Sequence, residues 1–185
     1  MEQLIQYDKS LLLFLNGLGN ANFDSFWLSI TKPIYWTPLF LLFLFWVYKK
    51  YQLKGMLVIL LVLGLGIAFS DQFANLFKYG FKRLRPCHDP ELIHKMRLVT
   101  CGGQFGFYSA HASTSFFVAT FLSVLLRKTQ PLLPYLAFSW AVIFAYSRIY
   151  LGVHFPGDVF VGLLFGILWG SLFAYFAKKI LMRLK

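Results

Sequence analysis

Charged side chains are scarce in this 185-residue sequence, and acidic ones are the scarcest. Only 14% of the residues are charged, against about 25% in an average soluble domain. Hydrophobic residues make up 58%, above the roughly 45–50% that is usual for soluble proteins. This composition excludes a disordered chain and a pair of large soluble domains. The net charge of +11, from 18 basic and 7 acidic residues, indicates an anionic partner, either nucleic acid or the lipid around a membrane protein.

Long runs without a charged residue decide between these two partners in favour of the membrane. A spanning helix needs about 20 mostly apolar residues, with a range of about 17–25, and basic side chains at the ends of shorter runs can snorkel. Five runs fit: residues 33–48, 55–70, 112–126, 129–147 and 159–177. The second extends to residue 77 if Asp71 is tolerated, and the third begins at residue 109 if His111 faces inward. The sequence therefore predicts an all-α polytopic membrane helix bundle with five to six transmembrane helices.

The first 32 residues are more polar than the runs that follow. Glu2, Asp8 and Lys9 interrupt leucines and phenylalanines, and the apolar stretches between them are short. This pattern predicts an interfacial amphipathic helix and a lead-in to the first span over residues 1–32. A sixth span results only if that helix inserts. The segment lacks the basic region and the cleavage site of a signal peptide.

Basic residues indicate which way the bundle faces. With five spans, three clusters fall on one side: Lys49, Lys50 and Lys54, then Arg127 and Lys128, then Lys178, Lys179, Arg183 and Lys185. The positive-inside rule makes that side cytoplasmic. The outer side then holds the N-terminal segment, the loop over residues 78–109 and the turn over residues 148–158. Each side holds nine basic residues, so this orientation requires that most outer cations have another role.

Four residues on the outer side are suited to binding phosphate. Lys78 and Arg85 are seven residues apart, about two helical turns, so they can share a helix face. Arg148 adds a third cation, and both guanidinium and ammonium groups bind phosphate oxygens. Ser109 opens a helix, where free N–H groups and the helix dipole favour an anion. These four residues are the candidate substrate-binding set.

Two histidines and an aspartate accompany the cations. One of His111 and His154 can attack phosphorus while the other protonates the leaving oxygen. Asp158 follows His154 by four residues, close enough to hold one ring nitrogen as N–H and leave the other as a nucleophile, in the manner of a catalytic triad. These three residues are the candidate catalytic set.

In order and spacing, these residues resemble the motifs of the type-2 phosphatidic-acid phosphatase superfamily of membrane lipid phosphatases. Its first motif, Lys, six residues and Arg-Pro, is met by Lys78, Arg85 and Pro86. Its third, Ser-Arg, five residues, His, three residues and Asp, is met by residues 147–158. Its second, Pro-Ser-Gly-His, departs at two of four positions and reads Tyr108-Ser109-Ala110-His111. Alanine in place of glycine removes easy access to positive φ.

The resemblance implies a role for each residue. His154 would be the nucleophile that forms a phosphohistidine, Asp158 would orient it, and His111 would protonate the leaving group and later activate water. The phosphate would be bound by Lys78, Arg85, Ser109 and Arg148. The resemblance further implies no metal or other cofactor, and a single membrane phosphatase domain over residues 1–185. Together with the basic clusters, it places the protein in the bacterial inner membrane, with the active site facing the periplasm or the outside.

The reaction that the resemblance implies is hydrolysis of a phosphomonoester or diphosphate on a phospholipid or a polyprenyl phosphate. Undecaprenyl diphosphate is the narrowest prediction, because small bacterial members of this superfamily often recycle that carrier. Phosphatidylglycerophosphate and lipid A 1-phosphate are alternatives with similar anionic headgroups. A non-enzymatic lipid transporter or scaffold on the same fold is a different class, supported only by the altered second motif. No nucleic-acid partner is predicted, and the oligomeric state stays open.

The outer loop holds the only two cysteines, Cys87 and Cys101. An oxidising periplasm favours a disulfide between them, and two free thiols are the alternative. A group of histidines and acids in the same loop matches no standard zinc spacing and is interpreted as solvated: His88, Asp89, Glu91 and His94. Four further cations are interpreted as loop residues near a lipid headgroup: Lys82, Arg83, Lys95 and Arg97.

Two spacing patterns predict packing around the site. Asp71, Asn75 and Lys78 lie on one helix face, so the first two are expected to support the lysine. Glycines recur every fourth residue from 162 to 170. Small residues at that spacing let helices approach closely, and we expect this contact inside the bundle.

Overall fold

Six α-helices form the protein in a computed structural model that describes residues 2–184; Met1 and Lys185 lie outside the described part. The helices are α1 Glu2–Gly17, α2 Asp24–Ile30, α3 Thr37–Phe81, α4 Ala110–Leu126, α5 Leu133–Tyr150 and α6 Pro156–Arg183. Residues 2–184 contain no β-strand, and Leu84 and Phe105 form an isolated bridge. The prediction of an all-α fold is confirmed.

Helix α3 consists of two segments that correspond to the first two predicted spans. At Gln52 the backbone is non-helical, with φ 56° and ψ −175°, and it separates residues 37–51 from residues 53–81. Side chains of both segments, such as Phe40 and Leu63, line one apolar groove, so the chain turns back at Gln52. The second segment continues through Asp71 to Phe81, as the longer version of the second predicted span requires.

Helix α4 is the centre of the bundle. Nearly all of its residues are buried, and it contacts α3, α5 and α6. Its 17 residues match the third predicted span closely. The helix α5 begins at Leu133, four residues later than predicted, where Pro134 occupies the first turn, a position that proline favours. By length and apolar composition, Pro33–Phe81 and Pro156–Arg183 could each cross a membrane.

The glycines of α6 lie directly against the backbone of α4. A Cβ atom on Gly162 would be 2.6 Å from the Ser109 carbonyl oxygen, and one on Gly170 would be 2.6 Å from the Phe117 carbonyl oxygen. A Cβ on Gly166 would overlap the Ser113 carbonyl oxygen in the same way. The glycine repeat therefore permits the close α4–α6 contact, which lies inside the bundle as expected.

Helix α1 lies against the end of the bundle that carries the motifs. Its 16 residues reach about 24 Å at roughly 1.5 Å per residue, less than the roughly 30 Å of a bilayer core. Leu12 is fully buried in a cluster with Phe155, and the buried side chain of Asn16 donates to the Tyr150 carbonyl at 2.8 Å. Leu4 and Phe14 are exposed. This arrangement agrees with an interfacial helix.

The opposite end of the bundle gathers the three basic clusters. Lys50 donates to the Leu125 carbonyl oxygen at 2.7 Å, and the Tyr51 hydroxyl donates to the same oxygen at 3.1 Å. A Cβ on Gly55 would lie 3.3 Å from the side chain of Leu181. The turn at Gln52 and the C-terminal ends of α4 and α6 therefore meet at one end, as the five-span topology predicts.

Replacing Gly170 by alanine should destabilise the bundle by about 1–3 kcal/mol, the usual effect of overpacking, because the new Cβ would meet the backbone of α4. The matched control is Gly64→Ala in α3, where a Cβ would have no atom within 4 Å. There alanine should stabilise the helix by roughly 0.5–1 kcal/mol. Unfolding temperatures in detergent should move in opposite directions, and equal shifts would contradict the packing described here.

Candidate active site

The three motif segments meet at the end of the bundle where α1 lies. Hydrogen bonds join them directly: the Ser109 amide donates to the Asp158 carbonyl oxygen at 3.0 Å, and Arg83 of the first segment donates to Asp158 Oδ1 at 2.8 Å. Charges from the first and third segments act on His111 of the second. The structure thus brings together all seven predicted catalytic and substrate-binding residues: Lys78, Arg85, Ser109, His111, Arg148, His154 and Asp158.

His154 and Asp158 form a buried pair at the start of α6. The His154 Nδ1 atom lies 3.5 Å from Asp158 Oδ2, and the two side chains are 1% and 0% exposed. The Phe155 amide donates to the same Oδ2 atom at 3.1 Å, which fixes the carboxylate. Burial lowers the pKa of His154 to about 4, although Asp158 opposes this shift. The imidazole is therefore neutral at neutral pH, with one nitrogen free to act as a nucleophile.

Three cations surround this pair with donors suited to a phosphate. Lys78 lies in the last turn of α3, and its Nζ donates to Asn75 Oδ1 at 3.1 Å. Asn75 in turn donates to Asp71 at 3.4 Å, the predicted support for the lysine. Arg85 donates to the Phe105 carbonyl oxygen at 3.2 Å. Arg148 is 8% exposed, and its Nε is a buried donor for which residues 2–184 provide no acceptor, as expected of a group that binds an anion.

The altered second motif forms the beginning of α4. Ser109 is its N-cap, and the Ser109 Oγ accepts from the Ala112 amide at 3.4 Å. Tyr108 is fully buried and stacks on Phe165 with ring centroids 4.9 Å apart. Burial raises the pKa of Tyr108 to about 12. His111 follows in the first helical turn, exposed to solvent. Tyr108, which stands where the family motif has proline, therefore fills an aromatic cluster. Ser109 and His111 keep the positions that they have in the motif.

The interpretation of Arg83 and Arg97 as headgroup-facing loop cations was wrong. Arg83 donates to Asp158 Oδ1 at 2.8 Å and to Asp8 Oδ2 at 2.6 Å, and Arg97 donates to Asp24 at 2.8 Å. These acids lie 73 or 75 positions away along the chain. Charge and local spacing alone could not identify such partners. Arg83 and Asp8 are therefore the two residues of this site that the sequence did not reveal.

The outer loop is tied together close to Arg85. Cys87 and Cys101 form a disulfide with Cα atoms 5.8 Å apart, and the Arg85 amide donates to the Gln104 carbonyl oxygen at 3.0 Å. Asp89 and Glu91, interpreted above as solvated, both bind Lys9 of α1, at 2.9 and 2.8 Å. The disulfide thus holds two parts of the loop together, and the ion pairs of Lys9 hold the loop to helix α1.

A sequence model of the PAP2 superfamily matches residues 59–181, which include every motif residue. The chain belongs to the PAP2 superfamily. It is 35% identical over its full length to the lipid A 4′-phosphatase of Bacteroides thetaiotaomicron, covering 83% of that protein. It is 33% identical to the lipid A 4′-phosphatase of Porphyromonas gingivalis, over 92% of this chain and 72% of that one.

Two crystal structures have similar folds. A transmembrane PAP2-type phosphatidylglycerolphosphate phosphatase from Bacillus subtilis superposes with a TM-score of 0.74, covering 97% of this chain and 89% of that one at 22% identity. An LpxE from Aquifex aeolicus superposes with a TM-score of 0.60, covering 89% and 92% at 29% identity. The protein is a membrane lipid phosphatase of the PAP2 superfamily, and the prediction of an enzyme rather than a transporter or scaffold is confirmed.

Removing the disulfide should destabilise the outer loop and the end of the bundle. In the chain-entropy model, a cross-link that closes about 15 residues contributes roughly 3 kcal/mol. The double variant Cys87→Ser/Cys101→Ser should therefore unfold at a lower temperature than the wild type. Peptide maps run with and without reductant should differ by two free thiols in the wild type only. Identical maps would show that the disulfide is absent.

His154 should make stability depend on pH in a defined window. Its pKa is about 4 in the folded protein, against an ordinary value of 6.5, so the folded state disfavours the protonated ring. The resulting stabilisation is fully present above pH 6.5 and is lost as the pH falls through 4. The unfolding temperature of His154→Asn should fall less than that of the wild type between pH 7 and pH 4. His94→Asn, at an exposed position, is the control, and equal slopes for all three proteins would refute this assignment.

Proposed function

We propose that this protein hydrolyses the 4′-phosphate of lipid A through a phosphohistidine on His154. The observation that carries the chemistry is the buried His154–Asp158 pair at the point where three cations converge. Asp158 faces Nδ1 at 3.5 Å, which leaves Nε2 with a free lone pair when Nδ1 carries the proton. A neutral, oriented imidazole of this kind is the nucleophile that a two-step phosphoryl transfer requires.

The reaction consists of two displacements at phosphorus. In the first, His154 Nε2 forms a bond to phosphorus while the bond to the sugar oxygen breaks, and His111 donates a proton to that oxygen. In the second, His111 accepts a proton from water, which attacks the phosphohistidine and releases inorganic phosphate. The phosphorus–nitrogen bond breaks, and His154 returns to its neutral form. The exposed position of His111 suits this role, because it must reach both the leaving group and water.

The phosphate oxygens are bound by the three cations and by the start of α4. Arg148 supplies its unpartnered Nε donor, Lys78 and Arg85 supply further positive charge, and the free N–H groups after Ser109 add the helix terminus. The transition state of phosphoryl transfer spreads its negative charge over the three equatorial oxygens, so donors fixed around them stabilise it.

The choice of lipid A follows from the two lipid A 4′-phosphatases to which this chain is similar over 100% and 92% of its length. Similarity to a decaprenylphosphoryl-5-phosphoribose phosphatase of Mycobacterium tuberculosis covers only 60% of the chain, at 34% identity. Lipid A phosphate therefore replaces undecaprenyl diphosphate as the first choice. Undecaprenyl diphosphate and phosphatidylglycerophosphate stay as competing substrates for the experiment.

The active-site end would face the periplasm from the inner membrane. Within residues 2–184, the opposite end carries eight basic residues and no acidic one, whereas the active-site end carries nine basic and all seven acidic residues. Three of the outer cations, Lys9, Arg83 and Arg97, form ion pairs with acids of this end. The larger net positive charge, +8 against +2 within residues 2–184, therefore lies opposite the active site, at the end that the positive-inside rule assigns to the cytoplasm.

A substrate panel tests this function. Purified protein in detergent is given lipid A, undecaprenyl diphosphate or phosphatidylglycerophosphate at matched concentrations, and released phosphate is measured. Mass spectrometry of the lipid A product identifies which phosphate is lost. We expect loss of the 4′-phosphate and the highest kcat/KM on lipid A. His154→Ala should reduce the rate by at least about a thousandfold, because the covalent route is removed.

The control for this test is His94→Ala, which removes an exposed histidine of the outer loop and should leave the rate unchanged. Preferred hydrolysis of undecaprenyl diphosphate or phosphatidylglycerophosphate would overturn the choice of lipid A. Full activity of His154→Ala would overturn the phosphohistidine mechanism, whichever lipid is hydrolysed.

A further inference from the structure

We infer that the N-terminal helix α1 takes part in organising the active site, with Asp8 and Arg83 as positioning residues for Asp158 and, through it, for His154. This inference depends on the proposed role of His154. The motifs do not include either residue, and the sequence alone placed Asp8 in an interfacial helix and Arg83 among loop cations near a lipid headgroup. Each oxygen of the Asp8 and Asp158 carboxylates has an assigned hydrogen-bond partner.

Arg83 links the two carboxylates through the two ends of its guanidinium. One terminal nitrogen donates to Asp158 Oδ1 at 2.8 Å, and the other donates to Asp8 Oδ2 at 2.6 Å. The same guanidinium lies 4.0 Å from the centre of the Phe155 ring. A planar group held at both ends and across its face has few alternative positions. Arg83 is therefore a rigid connection between α1 and the start of α6.

Both oxygens of Asp158 are thereby assigned. Oδ1 accepts from Arg83, and Oδ2 accepts from the Phe155 amide at 3.1 Å while it faces His154 Nδ1 at 3.5 Å. Without Arg83, only the Phe155 amide would hold the carboxylate, which could then rotate about its last bond and turn its oxygens out of line with His154 Nδ1. The arginine therefore holds the orientation on which the histidine tautomer depends.

Asp8 makes the same kind of double contact from α1. Its Oδ2 accepts from Arg83, and its Oδ1 accepts from the Gly157 amide at 2.8 Å. Gly157 lies between His154 and Asp158, and a Cβ there would be 2.8 Å from Asp8 Oδ2. Asp8 thus binds both the arginine that orients Asp158 and the backbone next to Asp158.

Anchoring α1 to the bundle does not require this contact. The neighbouring Lys9 already binds Asp89 and Glu91 of the outer loop, and Asn16 accepts from the Arg97 amide at 2.7 Å and donates to the Tyr150 carbonyl at 2.8 Å. None of these contacts reaches Asp158. Lys9 therefore provides a matched control: the same helix, an adjacent position and the same kind of ion pair, without a connection to the active site.

The network also sets the charge that His154 experiences. The charged groups that act on the histidine are Asp158, Arg85 and Arg148, and His111 lies close enough to interact with it. Arg83 acts on it through Asp158, whose negative charge it compensates. Loss of that compensation would strengthen the attraction between Asp158 and a protonated His154. The acid limb of kcat/KM, which reports the free enzyme, should then move to higher pH.

Four variants test the inference: Arg83→Gln, Arg83→Lys, Asp8→Asn and Lys9→Gln. For each, kcat and KM are measured from about pH 3 to pH 9, a range that includes the acid limb set by His154, on the lipid phosphate that the wild type hydrolyses best, together with the unfolding temperature. Arg83→Gln should lower kcat by at least about tenfold, the scale seen when an outer group that orients a functional residue is lost. KM should change little, and the acid limb should move to higher pH.

The other variants distinguish an effect on the orientation of Asp158 from an effect on the stability of the folded protein. Arg83→Lys retains the positive charge and should restore the wild-type pH profile and part of kcat. Asp8→Asn should lower kcat less than Arg83→Gln, because Arg83 keeps Asp158 as a partner. Lys9→Gln should keep the wild-type kcat and pH profile even if its unfolding temperature falls.

Two results would overturn the inference. In one, Arg83→Gln and Lys9→Gln have the same kcat and the same pH profile. In the other, Arg83→Gln loses activity only in proportion to folded protein, and Arg83→Lys does not restore the pH profile. His154→Ala, measured in the same experiment, distinguishes this failure from failure of the proposed mechanism, because an active His154→Ala would reject the nucleophile itself.

Discussion

The carboxylate of Asp158 is the group on which the active-site end of the bundle depends. It is completely buried, and a buried charge is costly unless it is paired and hydrogen-bonded. Arg83 from the outer loop and the Phe155 amide supply those partners, and the carboxylate faces His154. Because the outer loop and the start of α6 must converge to compensate one charge, their relative positions are fixed. The orientation of the histidine is a consequence of this convergence.

Close packing of α4 on α6 places the second motif beside this carboxylate. The glycine at 162 leaves room for the Ser109 backbone, and the Ser109 amide donates to the Asp158 carbonyl oxygen at 3.0 Å. A helix start with free N–H groups is thereby held next to the histidine that would carry the phosphoryl group. The two changes in the second motif are compatible with this contact, since Tyr108 fills an aromatic cluster behind the helix.

The two ends of the bundle differ in which of their basic residues are paired with acids. The inner end carries only basic residues, which suits the cytoplasmic side of a membrane. At the outer end, Lys9, Arg83 and Arg97 are bound by acids, whereas the proposed phosphate ligands Lys78, Arg85 and Arg148 form no ion pair within residues 2–184. Cations that hold α1 and the outer loop are thus distinct from cations available to a substrate. This division explains how nine outer basic residues are compatible with the orientation proposed here.

The sequence by itself determined the helices and the catalytic motifs, because both depend on local spacing. Apolar runs located the helices that span the bundle, and the four-residue separation of His154 and Asp158 places them close together in one short segment. It could not identify Asp8 and Arg83, which are 75 positions apart, since an isolated charge does not indicate its partner. Nor could it show that Tyr108 packs on Phe165. Those contacts were decided only by the tertiary structure, because compensating a buried charge and filling a cavity depend on which distant segments the helix packing brings together.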